Sequence, residues 1–142
     1  MLTFNNLGNL GRLANQMFQY ASLKGIARKH GYDYAIPPVD LFGQNDPLVR
    51  GDKLNIYDVF NIDKKNTINV VRNPMLQERM HEFDKELFES CPDNVDLYGY
   101  YQSPKYFDHI KDEIKSDFTF SDEVESVCSE MFETIKDGKK VI

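Results

Sequence analysis

A strand, a glycine-bearing loop, a helix and a second strand fill the first 37 residues, and that order restricts the fold more than any other feature of the chain. Leu2–Asn5 reads as a short strand. The loop Asn6–Arg12 follows, with Gly8 and Gly11 open to backbone shapes that other residues resist. Residues 13–30 read as a helix whose surface is apolar except for one narrow stripe, Asn15, Gln19 and Ser22, at i, i+4 and i+7. A helix of that kind is mostly buried. Lys24, Arg28, Lys29 and His30 gather positive charge toward its C-terminal end, and Gly31 is a natural stop. Tyr32–Ile36 then reads as a second strand, closed by Pro37 and Pro38. Strands joined through a crossover helix lie parallel, so this is the opening of a parallel α/β sheet.

Residues 38–66 are rich in Gly, Pro, Asn and Asp and read as a loop carrying one short helix near Ile56–Phe60. Thr67–Arg72 is β-branched and is expected to be a strand ending at Asn73-Pro74, and residues 83–90 a helical turn or two. Val95–Gln102 reads as a strong strand. Ser103 and Pro104 should open a helix over Lys105–Lys115, with Tyr106, Phe107, Ile110 and Ile114 facing inward. Ser121 should cap another helix, Asp122–Ile135, whose inward set is Val124, Val127, Cys128, Met131, Phe132 and Ile135. Lys139–Ile142 reads as the first residues of a further strand. The expectation is one domain over 1–142, incomplete at its C-terminal side.

Charge bounds the partners. Residues 1–77 hold nine Lys or Arg against six Asp or Glu, whereas residues 78–137 hold six against seventeen. An acidic second half argues against wrapping nucleic acid, and the basic first half is the better host for an anion. No apolar run approaches the ~20 residues of a membrane span, and no leader pattern opens the chain, so a cytosolic protein is expected, or a membrane-peripheral one as part of a longer chain. Cys91 and Cys128 lie 37 residues apart with no ligand spacing around them, and His30, His81 and His109 are isolated. Two reduced thiols and no zinc site are expected.

The chemistry concentrates in Gly8–Ala21. A glycine loop entering a helix aims free N–H groups at one point, where the helix dipole adds partial positive charge. Arg12 adds a planar fork of donors suited to phosphate oxygens, and Asn15 and Gln16 add two amides. Together they outline a diphosphate pocket. The alternative is a tight turn, with Asn15 and Gln16 bonding backbone groups and Arg12 in a surface ion pair. Tyr100, Gln102 and Ser103 fall at a strand's end, where α/β ligand sites gather. There Tyr100 and Gln102 either meet a sugar or merely pack and cap.

Residues 11–21, Gly-Arg-Leu-Ala-Asn-Gln-Met-Phe-Gln-Tyr-Ala, closely resemble the N-terminal motif of α-1,2-fucosyltransferases, glycosyltransferase family 11. Tyr98–Phe107, Tyr-Gly-Tyr-Tyr-Gln-Ser-Pro-Lys-Tyr-Phe, resembles a second family segment. Ala14 stands where Gly is common and Pro104 where Glu is common. The resemblance implies a Rossmann-like N-terminal lobe of a GT-B-type enzyme, ending before the family's H-x-R-R-x-D-Y motif. It implies transfer of L-fucose from GDP-fucose to the 2-hydroxyl of a terminal galactose, with inversion and without an obligatory metal or other cofactor. On this basis Arg12 and Asn15 are the catalytic candidates. Gly11, Arg12, Asn15, Gln16, Tyr100 and Gln102 are the candidates for binding GDP-fucose or the galactose-terminated acceptor. A lobe of another nucleotide-sugar transferase and a non-catalytic α/β binding module are the competing readings.

Overall fold

The computed structural model describes residues 1–38, 41, 54–69 and 71–136. Four short strands form one parallel sheet: β1 (Leu2–Thr3), β2 (Tyr34–Ala35), β3 (Met75–Gln77) and β4 (Asp96–Tyr98), in the order β2-β1-β4-β3. Leu2 lies opposite Tyr34, Thr3 opposite Asp96, and Leu76 opposite Leu97. Helices flank this sheet: α1 (Leu13–His30), α2 (Ile56–Val59), α3 (Lys85–Ser90), α4 (Lys111–Asp117) and α5 (Asp122–Lys136). The result is an α/β fold of the Rossmann-like kind expected. Loops leaving β1 and β4, the central pair, open side by side at the C-terminal edge of the sheet, the usual place for a ligand in such a fold.

The helix expected over residues 13–30 is α1, residue for residue, and the chain leaves it through Gly31 at φ +69°, with the Tyr32 N–H donating to the Ala27 carbonyl at 2.9 Å. Leu23, Ile26 and Ala27 bury completely against Leu2, Phe4 and Leu97 of the sheet layer. Lys24, also buried, meets Asp117 at 2.5 Å, and the Tyr20 hydroxyl donates to the same carboxylate at 2.9 Å, tying α1 to α4. Asn55 caps α2 in a reciprocal capping box with Asp58.

Four expectations need correction. Among the described residues of Thr67–Arg72 no strand forms. Only Thr67 bridges to Ile36, and the third strand begins after Pro74, at Met75. β-Branched composition rewards a strand only where a neighbouring strand and a buried face exist, and Ile68 is exposed. The strand expected over Val95–Gln102 stops at Tyr98, because Gly99 and Tyr101 turn to positive φ. The helix expected over Lys105–Lys115 is two 3₁₀ turns, Pro104–Tyr106 and Asp108–Ile110, before α4, and the Ser103 side chain caps nothing. Of its inward set, Tyr106 and Ile114 are buried while Phe107 and Ile110 are half-buried.

The fourth correction concerns α5. It forms where expected, but none of its residues is buried: Val127, Met131, Phe132 and Ile135 are all more than half exposed. An amphipathic pattern specifies a helix with an apolar stripe and does not supply the surface to cover it. The strand expected at Lys139–Ile142 lies outside the described residues.

Candidate functional site

The polar stripe of α1 is a seam. Asn15 Oδ1 accepts from Gln102 Nε2 at 2.6 Å. Gln19 Nε2, one turn on, donates to the Gly99 carbonyl and to the Leu10 carbonyl, both at 3.0 Å. Ser22 Oγ, a further turn on, donates to the Tyr101 carbonyl at 3.2 Å. At the next turn stands Gly25, where a Cβ would lie 2.1 Å from the Tyr106 carbonyl oxygen. The stripe therefore runs against the backbone of residues 99–107, stitching the segment that leaves β4 to the helix that follows β1. Gln19 holds three parts together: the glycine loop, the helix and the Gly99 bend. Burying Gln19 Nε2 and Ser22 Oγ is tolerable because backbone carbonyls receive them, whereas Gln19 Oε1 is buried without a hydrogen-bond partner.

Gly11 stands at φ +87°, and a Cβ there would lie 2.2 Å from Asn15 Nδ2. Both backbone shape and space thus demand glycine. The Asn15 amide lies over Gly11 and reaches across to Gln102. Arg12 is the N-cap of α1, with extended backbone, an exposed side chain, and no side-chain bond capping the helix. No acid stands in the first turn of α1. The first turn of α1 thus has neither a side-chain cap nor a carboxylate of the helix beside the exposed Arg12.

Gln16, expected beside Asn15 on the ligand, is fully buried. Its Oε1 accepts from Ile56 N at 3.1 Å, and its Nε2 reaches the Leu54 carbonyl at 3.4 Å. Its amide serves protein backbone, holding the start of α2 against α1, as the competing reading of this residue had it. The structure brings Gly11, Arg12, Asn15 and Gln102 together and turns Gln16 away from them.

Tyr100 lies one step from this cluster. It lines a cavity of about 360 Å³ together with Leu10, Glu78, Arg79, His81 and Gly99, between the glycine loop and the exits of β3 and β4. Glu78 accepts from the backbone N–H groups of Tyr100 and Tyr101 at 3.1 and 2.8 Å. Arg79 grips Asp84 through Nε at 2.8 Å and a terminal nitrogen at 2.6 Å, and reaches Glu86 at 2.8 Å. The Arg79 hydrogen bond holds the Asp84 carboxyl down at about 2, against its burial. Burial, reinforced by the Glu78 charge, pushes the Tyr101 hydroxyl well above its ordinary value.

A larger cavity, about 760 Å³, is lined by Phe83, Phe88, Lys29, Lys105 and His109. It reaches the last turn of α1, roughly 25 Å along the helix from Arg12, and takes in none of the candidate residues Gly11, Arg12, Asn15, Gln16, Tyr100 and Gln102. Among the described residues, no helix is long and apolar enough to cross a membrane.

Three residues that hold the candidate site together, Gln19, Ser22 and Glu78, are not set apart by local sequence. Gln19 and Ser22 were visible as a polar stripe, but nothing local says what a stripe faces. Glu78 lay among the many carboxylates of the acidic half, and only its spatial position at the Gly99 bend sets it apart.

Over 116 residues the chain is 28% identical to galactoside alpha-(1,2)-fucosyltransferase 2 of Sus scrofa. The match takes in 81% of this chain and 31% of that protein, so the chain spans about a third of the length of that relative. No family model and no solved structure matches the chain.

Proposed function

We propose that this chain is the N-terminal lobe of a fucosyltransferase of GT-B type, which transfers L-fucose from GDP-fucose to the 2-hydroxyl of a terminal galactose. The observation that carries the reading is Arg12, exposed at the uncapped start of α1 beside the Asn15–Gln102 pair, at the C-terminal edge of a parallel sheet. Similarity to a galactoside fucosyltransferase supports the sugar chemistry.

As the fucosyl bond breaks, negative charge grows on the leaving diphosphate, and donors aimed there lower the barrier. In this reading Arg12 and the N–H groups after Gly11 meet the diphosphate. Asn15, braced by Gln102, orients the fucose or its phosphate. Tyr100 and the cavity it lines receive the acceptor galactoside. Gln16 shapes the start of α1 through α2 and touches no ligand.

The test is a titration of the isotope-labelled chain with GDP-fucose, followed by amide NMR. GDP-fucose and GDP should both shift the Gly11–Asn15 signals, and Arg12→Lys, which keeps the charge and loses the fork, should weaken binding about fivefold or more. Equal shifts with a uridine diphosphate sugar would favour a different nucleotide-sugar donor. Silence at Gly11–Asn15 with every nucleotide sinks the reading.

A further inference from the structure

Past Tyr98 the chain bends where a strand would ordinarily run on. Gly99 stands at φ +149° and Tyr101 at φ +51°, and Tyr101 is fully buried. A bulky residue with left-handed backbone is an outlier that persists only when its surroundings fix it. Here the fixing group is Glu78. The bend turns two successive N–H groups, of Tyr100 and Tyr101, onto the single oxygen Glu78 Oε2, at 3.1 and 2.8 Å. Successive N–H groups aimed at one point make a cradle for an anion. Glu78 Oε1 receives the Tyr106 hydroxyl at 3.3 Å, and that hydroxyl in turn accepts from Asp84 N at 2.8 Å. A Cβ on Gly99 would lie 2.7 Å from Glu78 Cβ and 2.9 Å from Oε2, so the carboxylate also fits flush against the bend.

We propose that Glu78 is a positioning residue: its carboxylate is the resident anion of the Tyr100–Tyr101 amide cradle, and by filling it sets the bend that carries Tyr100 to the cavity and Gln102 to Asn15. Its effect on ligand binding rests on the function proposed above, whereas the cradle itself does not. Three donors, the Tyr100 and Tyr101 N–H groups and the Tyr106 hydroxyl, converge on this one carboxylate and fix its place against the bend. The partner bonds of the bend close the same loop from the other side, Gly99 and Tyr101 carbonyls going to Gln19 and Ser22.

The test compares hydrogen exchange of single amides in the intact chain, Glu78→Ala and Glu78→Gln, each with and without added sodium formate. Emptying the cradle in Glu78→Ala should speed exchange at Tyr100 and Tyr101 by about tenfold or more while Leu23 and Leu97 stay within about twofold. Formate, a carboxylate small enough for the vacated place, should restore the slow exchange, and sodium chloride at the same concentration should not. Glu78→Gln keeps the shape and loses the charge, so it should speed the same two amides on the order of threefold. If Glu78→Ala does not fold, Glu78→Gln decides alone. Unchanged exchange at Tyr100 and Tyr101, a uniform rise that includes Leu97, or a local rise that formate leaves untouched in Glu78→Ala overturns the proposal. A GDP-fucose titration on the same samples separates the two readings. Binding should weaken in Glu78→Ala and return with formate. Should GDP-fucose leave wild-type Gly11–Asn15 unmoved while formate still restores exchange, the ligand reading fails and the cradle stands.

Discussion

The carboxamide of Gln102 donates to that of Asn15 at 2.6 Å, joining two residues 87 positions apart at the mouth of the candidate site. Each amide alone would be a mobile surface group. Joined, they hold the segment leaving β4 over the first turn of α1 and brace Asn15 there. Double-mutant analysis of Asn15→Ala and Gln102→Ala should give a coupling of about 1 kcal/mol in urea unfolding, the usual size for one partly exposed hydrogen bond. If Asn15 meets the donor, Gln102→Ala should also weaken GDP-fucose binding, by less than Asn15→Ala does. Additive stability effects would mean that the pair is incidental.

Gly25 offers a test in which propensity and packing demand opposite signs. In an isolated helix, glycine to alanine is worth about 1 kcal/mol of added stability. Here the added carbon would lie 2.1 Å from the Tyr106 carbonyl oxygen and 2.8 Å from Phe107 Cα. Backbone cannot step aside as a side chain does, so Gly25→Ala should destabilise the protein by about 2 kcal/mol or more. Chemical denaturation measures it, and a stabilised variant would place residues 106 and 107 elsewhere.

Acid should weaken the Arg79–Asp84 pair in a defined range. The folded-state carboxyl of Asp84 sits at about 2, first because of the Arg79 hydrogen bond, whereas an unfolded aspartate titrates near about 3.9. A folded value below the unfolded one adds stability that is complete above about pH 4 and is lost as pH falls toward 2. Arg79→Met should be less stable than wild type at pH 7. The gap should hold steady down to about pH 5 and narrow between about pH 4 and pH 2. Urea midpoints along a pH series would show it, and a gap independent of pH would deny the pair its role.

The two thiols should separate cleanly. Cys91 is buried, and burial pushes its thiol up to about 11, whereas Cys128 is exposed on α5. A thiol-reactive dye at pH 8 should label one cysteine per folded chain, at Cys128, and two after denaturation. Labelling of Cys91 at a comparable rate in the folded protein would contradict its burial.

The stripe on α5 should govern association. Phe132 and Ile135 are 63% and 57% exposed, so replacing each by serine should alter folding stability by no more than about 0.5 kcal/mol. The same changes should lower concentration-dependent self-association, seen by light scattering, because an uncovered apolar stripe is adhesive. A large stability loss would show that the stripe is covered within the folded chain.

Local sequence determined α1 in full, because an apolar helix bounded by a glycine loop and Gly31 has few other ways to bury its surface. It also determined the sense of the sheet, since a strand followed by a long crossover helix must return parallel. It marked Gly11, Arg12, Asn15 and Gln16 at the glycine loop and Tyr100 and Gln102 at a strand's end; Gly11, Arg12, Asn15 and Gln102 converge with Tyr100 beside them, and Gln16 turns away. What it left open were questions about partners. Thr67–Arg72 has strand composition, yet among its described residues pairing stops at the single bridge from Thr67 to Ile36. The stripe of α5 has helical spacing and no cover among the described residues. Gln16 and Asn15 are neighbours with similar amides, yet helix geometry sends one inward to α2 and the other outward to Gln102. Propensity and periodicity are properties of a segment, and so can be read along it. Whether a polar group meets backbone, ligand or water depends on what the tertiary fold sets opposite it, which is how Glu78, unremarkable among its acidic neighbours, came to fill the bend at Tyr100 and Tyr101.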